Sequence, residues 1–81
     1  WMKYKIYGTT SCAFCMMAKH LLDRKKIEYE YLTMEAGSAI LMEMKERTQQ
    51  LTVPLIFEVS DTGTETFIGG YTDLNKKLTR I

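Results

Sequence analysis

Before residue 34 the hydrophobic period of this chain changes from two to about 3.6 and back to two, and few folds accept that order. Lys3-Tyr4-Lys5-Ile6-Tyr7 alternates charged with apolar or aromatic residues and stops at Gly8, the pattern of a short strand. Between Ala13 and Arg24, Phe14, Cys15, Met17, Ala18, Leu21 and Leu22 recur at helical spacing, opposite Lys19, His20, Asp23 and Arg24. Thr9-Thr10-Ser11 offers hydroxyls to cap that helix, and Arg24-Lys25-Lys26 suits the negative end of its dipole. Residues 27–33 alternate again, Ile27, Tyr29 and Tyr31 against Glu28 and Glu30. Strand, helix, strand in this order predicts a parallel pair joined by a right-handed crossover.

The remainder adds to that unit. Ala36-Gly37-Ser38 breaks the chain, and Ser38 can cap a second helix through about Thr48 that carries Ile40, Leu41, Met42 and Met44. Leu55 to Val59 and Glu65 to Ile68 read as strands about the turn Asp61-Thr62-Gly63-Thr64, which predicts an antiparallel hairpin. Gly69-Gly70 ends it, and Tyr71 to Ile81 carries Leu74, Leu78 and Ile81 at helical spacing. The expected fold is α/β, a four-stranded mixed sheet in the order β-α-β-α-β-β-α with helices on both faces. At 81 residues there is room for one domain, residues 2–81. Trp1, which precedes Met2, is expected to be an appended residue. A formal charge of +1 offers no field to hold a nucleic-acid backbone, and no apolar run approaches a bilayer span, so a cytoplasmic protein without nucleic-acid or membrane partners is expected.

Three stretches carry residues suited to chemistry. Cys12-Ala13-Phe14-Cys15 stands where the first strand gives way to the first helix, and the two-residue spacer brings both sulfurs within reach of a disulfide. Cys12 would lie beside free backbone N–H groups and the positive end of the helix dipole, which favour a thiolate and make it the expected nucleophile. Cys15, one turn on and more buried, is the expected resolving thiol. The plain alternative is a pair of small buried hydrophobes. Half of a zinc site is another, although the chain has no third cysteine and only His20, two turns away. Thr52-Val53-Pro54 precedes a strand, and a cis bond there would turn the Val53 N–H and C=O toward an extended ligand; a strand that merely begins with proline fits the same residues. In Gly69-Gly70-Tyr71-Thr72-Asp73 the glycines permit close approach, free N–H groups with Thr72 suit a carboxylate, and Asp73 suits an ammonium, which together describe an amino-acid head group. Thr72 or Asp73 serving only as a helix cap is the simpler use. Tyr7, at the end of its strand, is a further candidate to line a site, while Tyr4, Tyr29 and Tyr31 read as residues packed on the sheet. The methionines within helices read as core filling.

In order and separation the three stretches resemble the glutaredoxins over nearly the whole chain. The resemblance implies a thioredoxin-like fold and a glutathione-dependent thiol-disulfide oxidoreductase that reduces protein disulfides or glutathione mixed disulfides. It gives Cys12 the nucleophilic, glutathionylated position and Cys15 the resolving one. It gives Val53, beside a cis Pro54 and with Thr52 in the same loop, the backbone of the glutathione cysteine, and gives Gly70, Thr72 and Asp73 the γ-glutamyl head group. Two departures stand out. The spacer is Ala13-Phe14 where Pro-Tyr is common, and Thr9 stands where a basic residue often meets the glycyl carboxylate, leaving Arg47 or Gln49 to take that place. The short length and the spacer are similar to small viral glutaredoxins and to hydrogen donors of ribonucleotide reductase, which implies that enzyme as a partner of a monomer. Some members without the spacer proline instead hold an iron-sulfur cluster between two subunits with glutathione; with two cysteines per chain this would require a dimer or external thiols.

Overall fold

Alternation along β1 (Lys3–Gly8) sends Tyr4, Ile6 and Gly8 into the interior and leaves Lys3, Lys5 and Tyr7 on the other face. The computed structural model describes residues 3–35 and 37–79, so the expectations for Trp1, Met2, Ala36 and Ile81 lie outside the described residues. After β1 come α1 (Ala13–Arg24), β2 (Tyr29–Thr33), α2 (Ala39–Thr48), β3 (Leu55–Val59), β4 (Glu65–Gly69) and α3 (Tyr71–Thr79). They build one sheet in the order β2-β1-β3-β4, parallel between β1 and β2 and antiparallel at the other two junctions. The parallel pair and the closing hairpin are those the sequence predicts, and the architecture is thioredoxin-like.

On one face Tyr4, Ile6 and Ile56 meet Ala18, Leu21 and Leu22 of α1 and Leu74 of α3, with Tyr29, Tyr31 and Ile68 packed around them. Burying each of the larger aliphatic side chains stabilises the fold by roughly 1.5–3 kcal/mol before entropy is counted. The opposite face carries Tyr7 and Phe57, which line a groove together with Ile40, Met44 and Thr48 of α2, whose Leu41 is fully buried. Ile40 and Met42 remain exposed. Successive helical residues point about 100° apart, so three apolar neighbours in a row cannot all turn inward.

Two boundaries depart from expectation for identifiable reasons. The second strand begins at Tyr29, not at Ile27, because the end of α1 consumes the residues between them. Lys26 N–H bonds the Asp23 carbonyl, Ile27 N–H bonds the Leu22 carbonyl, and Lys26 sits in the left-handed region at φ 57°. This is a Schellman closure with lysine where glycine is usual. At the other end, α1 is not capped by a hydroxyl of Thr9, Thr10 or Ser11. Cys12 is the N-cap, with its sulfur accepting from Cys15 N–H at 3.1 Å. Ser38 caps α2 as expected, its Oγ accepting from Leu41 N–H at 3.3 Å.

Candidate active site

The two sulfurs belong to one turn of chain, and the fold treats them differently. Cys12 and Cys15 are joined in a disulfide with their Cα atoms 5.2 Å apart. Cys15 projects from the first turn of α1 into the core and is wholly inaccessible, whereas Cys12 at the cap is half-buried. Only the Cys12 sulfur can therefore be met by another molecule. It also receives the helix-terminal N–H of Cys15, and that contact together with the helix dipole favours negative charge on sulfur once the disulfide is opened.

Beside Cys12 lies a cleft of about 300 Å³ walled by Phe14, Gln50, Thr52, Val53, Pro54, Gly70, Tyr71, Thr72 and Asp73. The tertiary fold thus brings all three stretches singled out in the sequence to one place. The Val53–Pro54 bond is cis, and the Val53 carbonyl oxygen stands 3.9 Å from Cys12 Sγ. Among the described residues no backbone partner takes up the Val53 N–H. Across the cleft α3 begins at Tyr71 and its first intrahelical bond runs from Leu74 N–H to the Gly70 carbonyl. Its leading N–H groups therefore point outward, where they suit a carboxylate. Asp73 turns back to accept from Gly70 N–H at 3.2 Å, so it serves as a cap while its carboxylate also stands on the cleft wall. A carboxylate, an ammonium and a peptide backbone would all find complementary groups here. The Phe14 ring, 56% exposed, lies 6.2 Å from the Tyr71 ring and closes the side of the cleft nearest the cysteines.

Several residues stand elsewhere than expected, and two were missed. Tyr7 does not line this cleft. Strand alternation turns it to the α2 face, where it packs edge-on against Phe57 at 5.6 Å. Arg47 lies in that same groove, and Gln49 is the exposed left-handed residue that ends α2 at φ 59°. The turn at Gln49 directs the next residue inward: Gln50 Nε2 donates to the Pro54 carbonyl at 2.9 Å and to the Thr52 carbonyl at 3.3 Å, bracing the cis-proline loop. Nothing in the local pattern marks Gln50. Gly8 is the second omission. It reads as strand punctuation, yet a Cβ there would stand 2.7 Å from Cys15 Sγ, so glycine is what lets the core sulfur fit against β1.

Comparison with known proteins agrees with this geometry. The glutaredoxin family model matches residues 4–61. Glutaredoxin-2 of Schizosaccharomyces pombe is 38% identical over 74 residues, 88% of this chain and 63% of that protein. The mitochondrial glutaredoxin-2 of Bos taurus is 35% identical over 74 residues, again 88% of this chain but 44% of the relative, so the chain spans less than two thirds of either protein. Among solved structures, glutaredoxin 1 of Francisella tularensis, crystallised in complex with cacodylate, superposes with a TM-score of 0.71 at 27% identity, covering 99% of this chain and all of that one. Because the family model spans most of the chain, including the segment that holds Cys12, Cys15 and the cis-proline, and relatives of more than 30% identity match it over 88% of its length, this chain belongs to the glutaredoxin family.

Proposed function

We propose that the protein is a glutathione-dependent thiol-disulfide oxidoreductase that reduces protein disulfides and glutathione mixed disulfides. The observation that carries this reading is the unequal exposure of the two sulfurs beside the cleft: one is reachable, the other is held in the core one helical turn away. The Cys12 thiolate attacks one sulfur of a substrate disulfide, and the other sulfur leaves as a thiol after taking a proton from water. Cys15 then attacks Cys12 Sγ, releases the second substrate thiol and closes the Cys12–Cys15 disulfide. Two molecules of glutathione return the two electrons and leave as glutathione disulfide. The Val53 backbone and the α3 N-terminus with Thr72 and Asp73 hold the tripeptide, while Pro54 and Gln50 shape the loop that presents Val53. Larger substrates include ribonucleotide reductase, and a reducing, glutathione-containing compartment such as the cytoplasm is where a monomer of this kind would work.

The test is glutathione-coupled reduction of a mixed disulfide by the wild type, Cys12→Ser and Cys15→Ser at matched concentration. Cys12→Ser should lose all turnover. Cys15→Ser should keep deglutathionylation and lose protein-disulfide reduction. Wild type without turnover would reject the glutathione reading and direct attention to cluster reconstitution, where a coloured, glutathione-dependent dimer would be the signature.

A further inference from the structure

Gly8, Cys15 and Tyr31 come from three different elements and meet at one point on the core side of β1. A Cβ placed on Gly8 would lie 2.7 Å from Cys15 Sγ and 2.8 Å from Tyr31 Oη, so the sulfur and the phenol oxygen share the small space that glycine leaves open. Tyr31 is the neighbour of Ile6 in the parallel pairing of β1 with β2, and Gly8 pairs with Thr33, which holds the phenol in register with the sulfur. The Tyr31 hydroxyl donates to the Thr9 carbonyl at 3.2 Å, in the loop leading to Cys12. Cys15 has no exposure at all, and in the disulfide its sulfur carries neither proton nor charge.

Opening the disulfide changes what that buried sulfur demands. We propose that Tyr31 is the positioning residue for the resolving cysteine: on reduction its hydroxyl turns from the Thr9 carbonyl to Cys15 Sγ and stabilises the Cys15 thiolate. The inference deepens the redox reading above and rests on it for its catalytic meaning. A charged acceptor binds a hydroxyl donor more strongly than a neutral carbonyl does, so the one available proton of Tyr31 goes to the thiolate. The hydroxyl stays protonated for this purpose, because burial raises its pKa above the ordinary tyrosine value. From α1 the Lys19 ammonium lies 5.8 Å from the Tyr31 ring centroid, beyond β2 Glu35 lines a surface pocket with Thr9, and on α3 the Asp73 carboxylate is engaged by Gly70 N–H. Both lysines of β1 lie on the other face. In the closing step the Cys15 proton is lost to water, the Cys15–Cys12 bond forms, the Cys12–substrate bond breaks, and the leaving thiolate takes a proton from water. Tyr31 gives up no proton in this sequence.

The experiment uses the Cys12→Ser protein, in which Cys15 is the single thiol, isotope-labelled at cysteine Cβ and tyrosine Cζ and titrated by NMR under reducing conditions. The Tyr31 Cζ resonance should inflect at the same midpoint as Cys15 Cβ. Replacing Tyr31 by Phe in this background should raise the Cys15 midpoint by about one pH unit, a tenfold gain in proton affinity. An unchanged midpoint in folded Tyr31→Phe protein, or a Tyr31 resonance that ignores the Cys15 titration, overturns the proposal. If Tyr31→Phe does not fold, the common inflection in the Tyr31 protein decides alone. Glutathione-coupled turnover of the wild type is scored separately: its absence alongside a shared inflection would reject the redox reading and leave the Tyr31–Cys15 pairing standing.

Discussion

Substituting Gly8 by alanine adds one methyl group where there is no room for it, and the surroundings determine how much that costs. The new Cβ would meet Cys15 Sγ at 2.7 Å, Tyr31 Oη at 2.8 Å and Cys15 Cβ at 3.2 Å. The backbone cannot retreat, because Gly8 pairs with Thr33 in the parallel ladder and its carbonyl accepts from Met34 N–H at 2.7 Å. Cys15 cannot swing aside while it is tied to Cys12, and Tyr31 is held through its hydroxyl by Thr9. Overpacking of this kind costs about 1–3 kcal/mol. For a domain of this size each kcal/mol lowers Tm by about 4–8 °C, so a drop of about 10 °C is expected for Gly8→Ala in the oxidised protein. Reduction frees Cys15 to choose another rotamer, and the penalty should then shrink. Thermal unfolding of both proteins, oxidised and reduced, reads the two effects together. A Tm within about 2 °C of wild type in the oxidised state would show that the space beside Cys15 is larger than described and refute the close-packing argument. An equal drop in both redox states would place the strain on β1 and not on the sulfur.

Two further predictions concern charge and capping. Asp73→Ala leaves Gly70 N–H without its acceptor and should cost about 1 kcal/mol, lowering Tm by several degrees while raising the KM for a glutathione mixed disulfide; Asp73→Asn should recover most of the stability but not the KM, and recovery of both would mean that Asp73 is a cap alone. The Tyr4 hydroxyl has its pKa pushed up to about 12 by burial, with a further contribution from the hydrogen bond it donates to Glu58, whereas an unfolded tyrosine titrates near 10. Across that interval the folded chain keeps a proton that the unfolded chain has lost. Stability is therefore fully present below about pH 10 and falls as pH rises toward 12, a decline that should be shallower in Tyr4→Phe; identical alkaline unfolding curves would remove Tyr4 as its source.

Much of the fold was legible because its signals are local. The period-two run of Lys3 to Tyr7, the helical spacing of Phe14 to Leu22 and the Ser38 cap each act over a few residues, and each element formed where its pattern lies. Boundaries were less legible where a helix end competed with a strand start. Ile27 fits the alternation of Tyr29 and Tyr31, but its N–H is worth more closing α1 onto Leu22 than extending an edge strand. The cap of α1 was misplaced for a similar reason: three hydroxyl residues precede the helix, yet the chain entering from Gly8 places the Cys12 sulfur over the free Cys15 N–H.

The sequence alone determined the order of elements and the closeness of the two cysteines, since a two-residue spacer at a helix start brings the sulfurs within reach of one another, while the disulfide itself is a finding of the structure. It also marked the Val53-Pro54 and Gly70-to-Asp73 stretches as unusual. Only the tertiary structure decided that these stretches face one another across a single cleft. That outcome requires β3 to lie between β1 and β4 and antiparallel to both, so that the start of β3 and the end of β4 reach the same end of the sheet as the close of β1, from which the chain leads to Cys12. The inward turn of Gln50, the outward face of Tyr7 and the meeting of Gly8, Cys15 and Tyr31 are likewise contacts between residues distant in sequence. Pattern reports which face of its own element a residue occupies; which neighbour occupies the other side of that face is set by the packing of the whole chain.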